Sequence, residues 1–383
     1  MKLITQKAAL LPFLLAIGAC LPAAEFEVSE RDDLVRKTFS TEVDRGLSDV
    51  IEFEVGTNVD SLLIEVSGQR GRFELEEFIT PDGQDWTKYR NFHAARGLYP
   101  GLVNWLYPNA PELEVQPGTY RMRIKSTNTL EQDINTEDLE VRVYIKDKNP
   151  LDRCGIRLDY LVDASGVDPE YANDATETIT GEVVRHLAQA GISIIDYSTQ
   201  SINLSSYDFD VRNESLTQNI DSILAEARRT NGARREAVHI VMAGDIGGLD
   251  VPGQDKAGYA MGEPGPYEAD RPTAAVMVAT ERFLQSGTNA NNQRVFQTAP
   301  LAITLTHEIG HYLGLPHTSE IDRETTHDHI EDTPECTNTN SCSPEFDVNI
   351  MSSGLYVPSR GRTTFTPGQI KIMKRHPLCV PGF

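Results

Sequence analysis

Between residues 50 and 146 apolar and polar side chains take turns. Ile51, Phe53 and Val55 interleave with Glu52 and Glu54. Tyr120, Met122 and Ile124 are set against Arg121, Arg123 and Lys125, and Leu139, Val141, Val143 and Ile145 repeat the pattern. A period of two with one apolar face predicts half-buried β-strands, because successive side chains in a strand point to opposite sides. Turn residues punctuate the run: Pro81-Asp82-Gly83, and Pro117-Gly118 just ahead of a strand. Short strands with no helical stretch among them predict an all-β sandwich over residues 27–147.

The pattern changes after Lys148-Asn149-Pro150, where proline disfavours continuing a strand. Residues 156–162, 192–195 and 237–243 are short apolar runs that predict buried strands. Between them lie two helical patterns. In residues 175–190, Ile179, Val183, Leu187 and Ala190 share a face and Gly191 ends the run; in residues 216–229, Ile220, Ile223, Leu224 and Ala227 do the same. Residues 258–278 predict two more strands around a Gly/Pro-rich bend. Alternating strand and helix predict an α/β (α+β) domain over residues 151–383, its sheet covered by helices. The whole is a multidomain chain, which suits a length of 383 residues.

The helical spacing in residues 301–313 carries the chemistry. Leu305, Ile309, Tyr312 and Leu313 form an apolar face, and His307 and His311, four apart, form a second stripe. Two imidazoles one turn apart are placed to bind one metal ion, and Glu308 sits beside that ion as a base. Gly314 permits a left-handed exit from the helix, and Pro316 sets an extended approach that lets His317 return as a third ligand. Three histidines leave a fourth position for water, the mark of a catalytic zinc site.

His307-Glu308-x-x-His311-x-x-Gly314-x-x-His317 resembles the metzincin clan of zinc peptidases. Within it, the chain is most similar to the pappalysin family. His-Glu-Ile-Gly-His-Tyr-Leu-Gly-Leu, the acidic segment Asp328 to Pro334, Asn349-Ile350-Met351, and Phe365-Thr366-Pro367-Gly368-Gln369 followed by Met373 all match its motifs. The resemblance implies a metzincin-type zincin domain that hydrolyses peptide bonds in proteins outside the cytoplasm. Zinc-bound water would attack, with Glu308 as general base. It assigns Met351 to a methionine turn beneath the metal. The family has a tyrosine two residues after that methionine; here Ser353 stands there, and Tyr356 is the candidate transition-state stabiliser. Asp328 and Asp332 are candidate calcium ligands, set against an ordinary solvated acidic loop. His327 and His329 in the same loop are read as solvated histidines rather than as ligands of a second metal.

Composition narrows the setting. A formal net charge of −22 excludes nucleic-acid binding through a basic surface. Lys2 and Lys7 precede an apolar run at residues 8–17, too short for a permanent membrane span. It ends in Ile17-Gly18-Ala19-Cys20, which resembles a bacterial lipobox. Residues 1–19 then form a signal peptide and Cys20 takes the lipid. The expected location is the cell envelope, lipid-anchored through Cys20, or secreted if the leader is simply cleaved. The four remaining cysteines allow three pairings; Cys336–Cys342 and Cys154–Cys379 are favoured. Arg153-Cys154-Gly155 also resembles a cysteine switch that would block the zinc. The expected partner is a protein or peptide substrate. The rival reading is a binding or adhesion lipoprotein on an inactive metzincin scaffold.

Overall fold

The computed structural model describes residues 24–88, 101–128, 130, 132–134, 136–163, 169–211, 215–231, 236–247, 257–268, 274–288, 294–320, 327–336, 342, 344–353 and 363–383. Its first part is all β: β1 (Ala24–Arg31), β2 (Leu34–Asp44), β3 (Leu47–Ser48), β4 (Ile51–Val55), β5 (Val59–Ser67), β6 (Arg72–Ile79), β7 (Leu102–Tyr107), β8 (Gly118–Thr127) and β9 (Thr136–Asp147). The strands run β4-β8-β3-β2-β9-β5-β7, with β1 beside β2 and β6 beside β8. The sheet curls, so the inward faces of β2, β5, β7 and β9 meet those of β4, β6 and β8 around one core. Phe39, Phe53, Phe78, Trp86, Tyr107 and Tyr120 form its aromatic centre, with Phe53 and Tyr120 stacked at 5.7 Å. The alternation in β4, β8 and β9 is what this arrangement requires.

The second part comprises β10 (Cys154–Asp163), α1 (Pro169–Ala188), β11 (Ile192–Ile202), α2 (Leu216–Asn231), β12 (Val238–Ala243), β13 (Gly258–Ala260), β14 (Ala275–Ala279), β15 (Leu284–Thr288), β16 (Arg294–Phe296), α3 (Thr298–Tyr312), α4 (Pro344–Val348), α5 (Pro367–Arg375) and β17 (Val380–Pro381). The sheet order is β11-β10-β12-β14-β13, with β17 beside β10. The four strands β10, β11, β12 and β14 are parallel, while β13 forms an antiparallel edge. Leu158, Tyr160, Ile240 and Val276 face α1 and α3, whereas Leu161, Val241 and Met277 face α2. Helices on both faces account for the continuous apolar runs in β12 and β14. A disulfide joins Cys154 at the start of this sheet to Cys379 at the chain's end, and a second joins Cys336 to Cys342, the pairing the spacing favours.

The two parts share a core. Leu34, Leu63, Leu106 and Tyr144, on the outer face of the β-domain, belong to the same apolar cluster as α3. Tyr144 meets Tyr267 at 4.9 Å between ring centroids. That second contact surface is why β5 and β7 are buried on both faces instead of keeping one wet. Buried cations cross the seam. Arg375, 1% exposed, donates to the carbonyls of Pro108, Ala110 and Leu113 at 3.1, 2.7 and 2.6 Å. Lys146 Nζ donates to the carbonyls of Lys374 and His376 at 2.5 and 3.0 Å, and burial pulls its pKa down to about 7. Asn104 Nδ2 donates to Pro264 O at 3.1 Å, and Tyr267 N–H to Glu65 Oε1 at 2.7 Å.

Candidate metal centre

The helix α3 buries Leu301, Leu305 and Ile309 against the sheet, which turns the His307–His311 stripe away from it. It ends where the spacing predicts. Gly314 adopts φ +100°, and the N–H groups of Gly314 and Leu315 close the last turn onto His311 O and Gly310 O. A Cβ on Gly314 would lie 2.8 Å from Leu106 Cδ2, so this glycine also admits the β-domain. The chain then reverses and brings His317 back.

The three Nε2 atoms converge. His307 and His311 are 3.0 Å apart, His311 and His317 3.1 Å, and His307 and His317 3.2 Å. Each ring's other nitrogen faces an acceptor. His307 Nδ1–H donates to Ile350 O at 2.6 Å, His311 Nδ1–H to Leu315 O at 2.7 Å, and His317 Nδ1–H to both Glu320 oxygens at 3.2 Å. Carbonyls accept only, so the proton sits on Nδ1 and the Nε2 lone pairs point at one another. Three lone pairs at this spacing need a cation between them. Tetrahedral zinc with Zn–N of about 2.0–2.1 Å puts its nitrogens about 3.3 Å apart, close to the spacing seen. Among the described residues this is the group of three or more potential ligands that gathers within reach of one ion.

Glu308 is buried beside the trio, 7% exposed. Its side chain lies against Gly258 on the edge strand β13: a Cβ there would stand 2.7 Å from Glu308 Cγ and Oε1. Met351, fully buried, packs its sulfur against Gly310 between the two helical histidines, where a Cβ would clash with it. The turn that holds it is tied down in series. Thr366 and Gln369 form a capping box on α5. Gln369 Oε1 accepts from Asn349 Nδ2 at 2.9 Å, Asn349 Oδ1 accepts from Met351 N at 2.8 Å, and Ile350 O accepts from His307. The cap of one helix thus fixes a zinc-ligand ring on another.

Two family models match the chain across this geometry. One, described as Pregnancy-associated plasma protein-A, matches residues 282–376; the other, Metallo-peptidase family M12B Reprolysin-like, matches residues 169–318. They overlap on α3 and all three histidines. The second part is a metzincin-like metallopeptidase domain. Among solved structures, metalloproteinase-II from Bacteroides fragilis aligns at TM-score 0.34 and 13% identity, covering 65% of this chain and 64% of that one. This chain therefore spans less than two thirds of that protein. An RmlC-like cupin protein from Desulfovibrio desulfuricans aligns at TM-score 0.17 and 13% identity over 33% of this chain and 82% of its own. Scores this low establish neither a shared fold nor a shared activity. No curated protein matches the chain.

Within the metzincin-like domain the other expected residues fare differently. Cys154 is disulfide-bonded to Cys379, so it offers no thiolate to the zinc. Asp328 and Asp332 are each engaged by protein donors. Asp328 Oδ1 accepts from Ile330 N at 3.0 Å and Thr333 Oγ1 at 2.5 Å, and Asp332 Oδ2 accepts from Gly368 N at 2.8 Å. Burial pushes the Asp328 carboxyl up to about 7. Of the two loop histidines, His327 Nδ1 pairs with Ser319 Oγ at 2.8 Å and His329 Nε2–H donates to Asn109 O at 2.5 Å. Ser353, where the family has tyrosine, is buried and donates to Ser319 O. Tyr356, Cys20 and the leader at residues 1–19 lie outside the described residues. Sequence reasoning misses Glu320 and Gly258. His317-x-x-Glu320 is a readable signal for the first; nothing local marks Gly258 as Glu308's neighbour.

Proposed function

We propose that the protein is an exported zinc-dependent endopeptidase, with His307, His311 and His317 holding the metal and Glu308 as general base. The observation that carries this reading is the convergence of three Nε2 atoms whose Nδ1 protons are each engaged, with a buried carboxylate alongside. Zinc, when bound, supplies the Lewis acidity that lets a water lose its proton near neutral pH. Glu308 takes that proton as the water attacks the scissile carbonyl and passes it to the departing amine. Ile350 O, Leu315 O and Glu320 hold the imidazoles in the ligating tautomer throughout. The edge strand β13, antiparallel and next to Glu308 through Gly258, offers backbone groups to an extended substrate. The pappalysin-like motifs support protein substrates, and the lipobox-like Cys20 supports attachment at the cell envelope.

The decisive variant is Glu308→Gln. It should keep stoichiometric zinc and lose at least about a hundredfold in turnover on an unfolded protein substrate. Equal turnover by wild type and variant rules the assignment out. Radiolabelled palmitate incorporation that depends on Cys20 tests the anchor.

A further inference from the structure

The strand β1 determines which end of the molecule a lipid on Cys20 meets. It runs antiparallel along β2, with Ala24 opposite Ser40 and Arg31 opposite Leu34. Arg31 ends at the seam, where Nη1 and Nη2 both donate to Pro377 O at 2.9 Å. Ala24 therefore lies towards the other end of the β-domain. Beyond it β2 and β9 run four residues farther, from Ser40 and Glu140 to Asp44 and Thr136. At about 3.3 Å per residue that is about 13 Å. Four links join Cys20 to Ala24, and fully extended they reach about 14 Å. A lipid on Cys20 thus comes level with the Asp44–Thr136 end and no farther.

Three turns meet at that end and are pinned together. Gly46, in the β2–β3 turn at φ +83°, donates to Ile134 O and accepts from Ser126 N, both at 2.8 Å. The buried Glu137 holds the β5–β6 turn: its Oε1 accepts from the N–H groups of Gln69, Arg70 and Gly71 at 2.6, 2.6 and 3.1 Å. In the β8–β9 loop Asn128 Oδ1 accepts from Leu130 N at 2.9 Å and Gln132 N at 3.0 Å. This loop presents Leu130 to solvent at 75% exposure, the most of any large apolar side chain among the described residues. Arg45 and Arg70 are exposed at the same end. A depression of about 360 Å³ there is lined by Arg70, Asn128, Asp133, Ile134 and Thr136. An apolar tip among guanidinium groups suits the boundary between headgroups and acyl chains. Asp44 and Asp133 beside the arginines match headgroups that carry both charges.

We propose that this end of the β-domain rests on the phospholipid bilayer that takes the Cys20 lipid, with Leu130 inserted among the headgroups. The acyl chains anchor the protein and the three turns set its orientation. The β-domain is then a spacer. Its seam residues Tyr144 and Leu63 pair eight residues along β9 from Thr136, and Leu106 beside them touches Gly314 at the end of the zinc helix. The metal centre accordingly stands about 25 Å above the membrane. It meets polypeptides that extend beyond the headgroup layer. The inference rests on the lipid-anchor reading and is independent of catalysis.

The test uses the full-length, zinc-loaded, lipidated protein in vesicles of phosphatidylethanolamine and phosphatidylglycerol. A thiol-reactive, environment-sensitive fluorophore is attached at Leu130→Cys or, at the seam end, at Leu151→Cys. Both side chains are exposed, so neither substitution disturbs a core. Energy transfer to an acceptor dye on the headgroups should place the probe at 130 within about 10 Å of the surface. The probe at 151 should stand about 25 Å or more away. Emission from 130 should move to the blue on reconstitution, while that from 151 stays as in water. Equal heights for the two probes, or a probe at 130 that remains in water, overturns the proposal while the anchor stands. Failure of the anchor reading shows separately: mass spectrometry then finds no acyl chain on Cys20, and the proposal falls with it.

Discussion

Replacing Arg375 with methionine tests whether the seam between the two domains holds the molecule together. The side chain is 1% exposed and satisfies three carbonyls of the segment that follows β7. Methionine fills most of the stem's volume and removes every donor. Each carbonyl left dry costs roughly 1–3 kcal/mol. Relief from burying a guanidinium offsets part of this, and burial does pull the Arg375 pKa down. A net loss of about 3–5 kcal/mol follows, the range seen when one side of a buried charged arrangement is removed. At ~2.1 cal/mol/K per residue, over roughly 360 residues unfolding as one unit, that is a fall in Tm of about 4–7 °C. Differential scanning calorimetry on the zinc-loaded protein reads it. A Tm within about 1 °C of wild type refutes the argument, because it means the three carbonyls are hydrated and the seam is open.

Three further perturbations follow from the site. Gly258→Ala places a methyl group 2.7 Å from Glu308 Oε1; it should cut kcat by about 10–100-fold with zinc content unchanged, and wild-type turnover would show that Glu308 does not work in this position. Cys154→Ser should lower stability by about 5 kcal/mol from loop closure across 225 residues without relieving any latency; a rise in activity would instead revive the switch. The raised Asp328 pKa means the folded state binds more protons than the unfolded state between about pH 4 and 7. Stability from this group is therefore present at the acid end and lost as pH rises through about 7, by about 1.4 kcal/mol for each pH unit crossed within that window. Asp328→Asn should flatten the fall in Tm across that window, and parallel Tm–pH curves would refute it.

How much of this is legible depends on whether a signal is local. The strands with one wet face, β4, β8 and β9, carry their own period. The helix with its histidine stripe and its glycine exit is readable for the same reason, since spacing and backbone conformation are set within a few residues. The strands β5 and β7 have no wet face because their second face is covered by another domain, a fact written elsewhere in the chain. The acidic neighbours of Asp328 suggest a cation ligand. Its Oδ1 instead caps the turn at Ile330 and Thr333, which a sequence shows only as a suitable spacing. The support behind His307, running from the α5 cap through Asn349, uses residues that stand out as motifs. Their connection needs coordinates.

The order of manufacture sets a constraint on the seam. The carbonyls that receive Lys146 belong to Lys374 and His376, and Arg31 reaches Pro377 O at 2.9 Å. The β-domain thus docks on residues that lie 228 to 346 positions later in the chain. Until the second domain is made and folded, the outer surface of Leu34, Leu63 and Leu106 lacks its cover. A chain without the second domain would leave a greasy sheet face bare beside an otherwise finished set of strands, and protein quality control would meet it as misfolded.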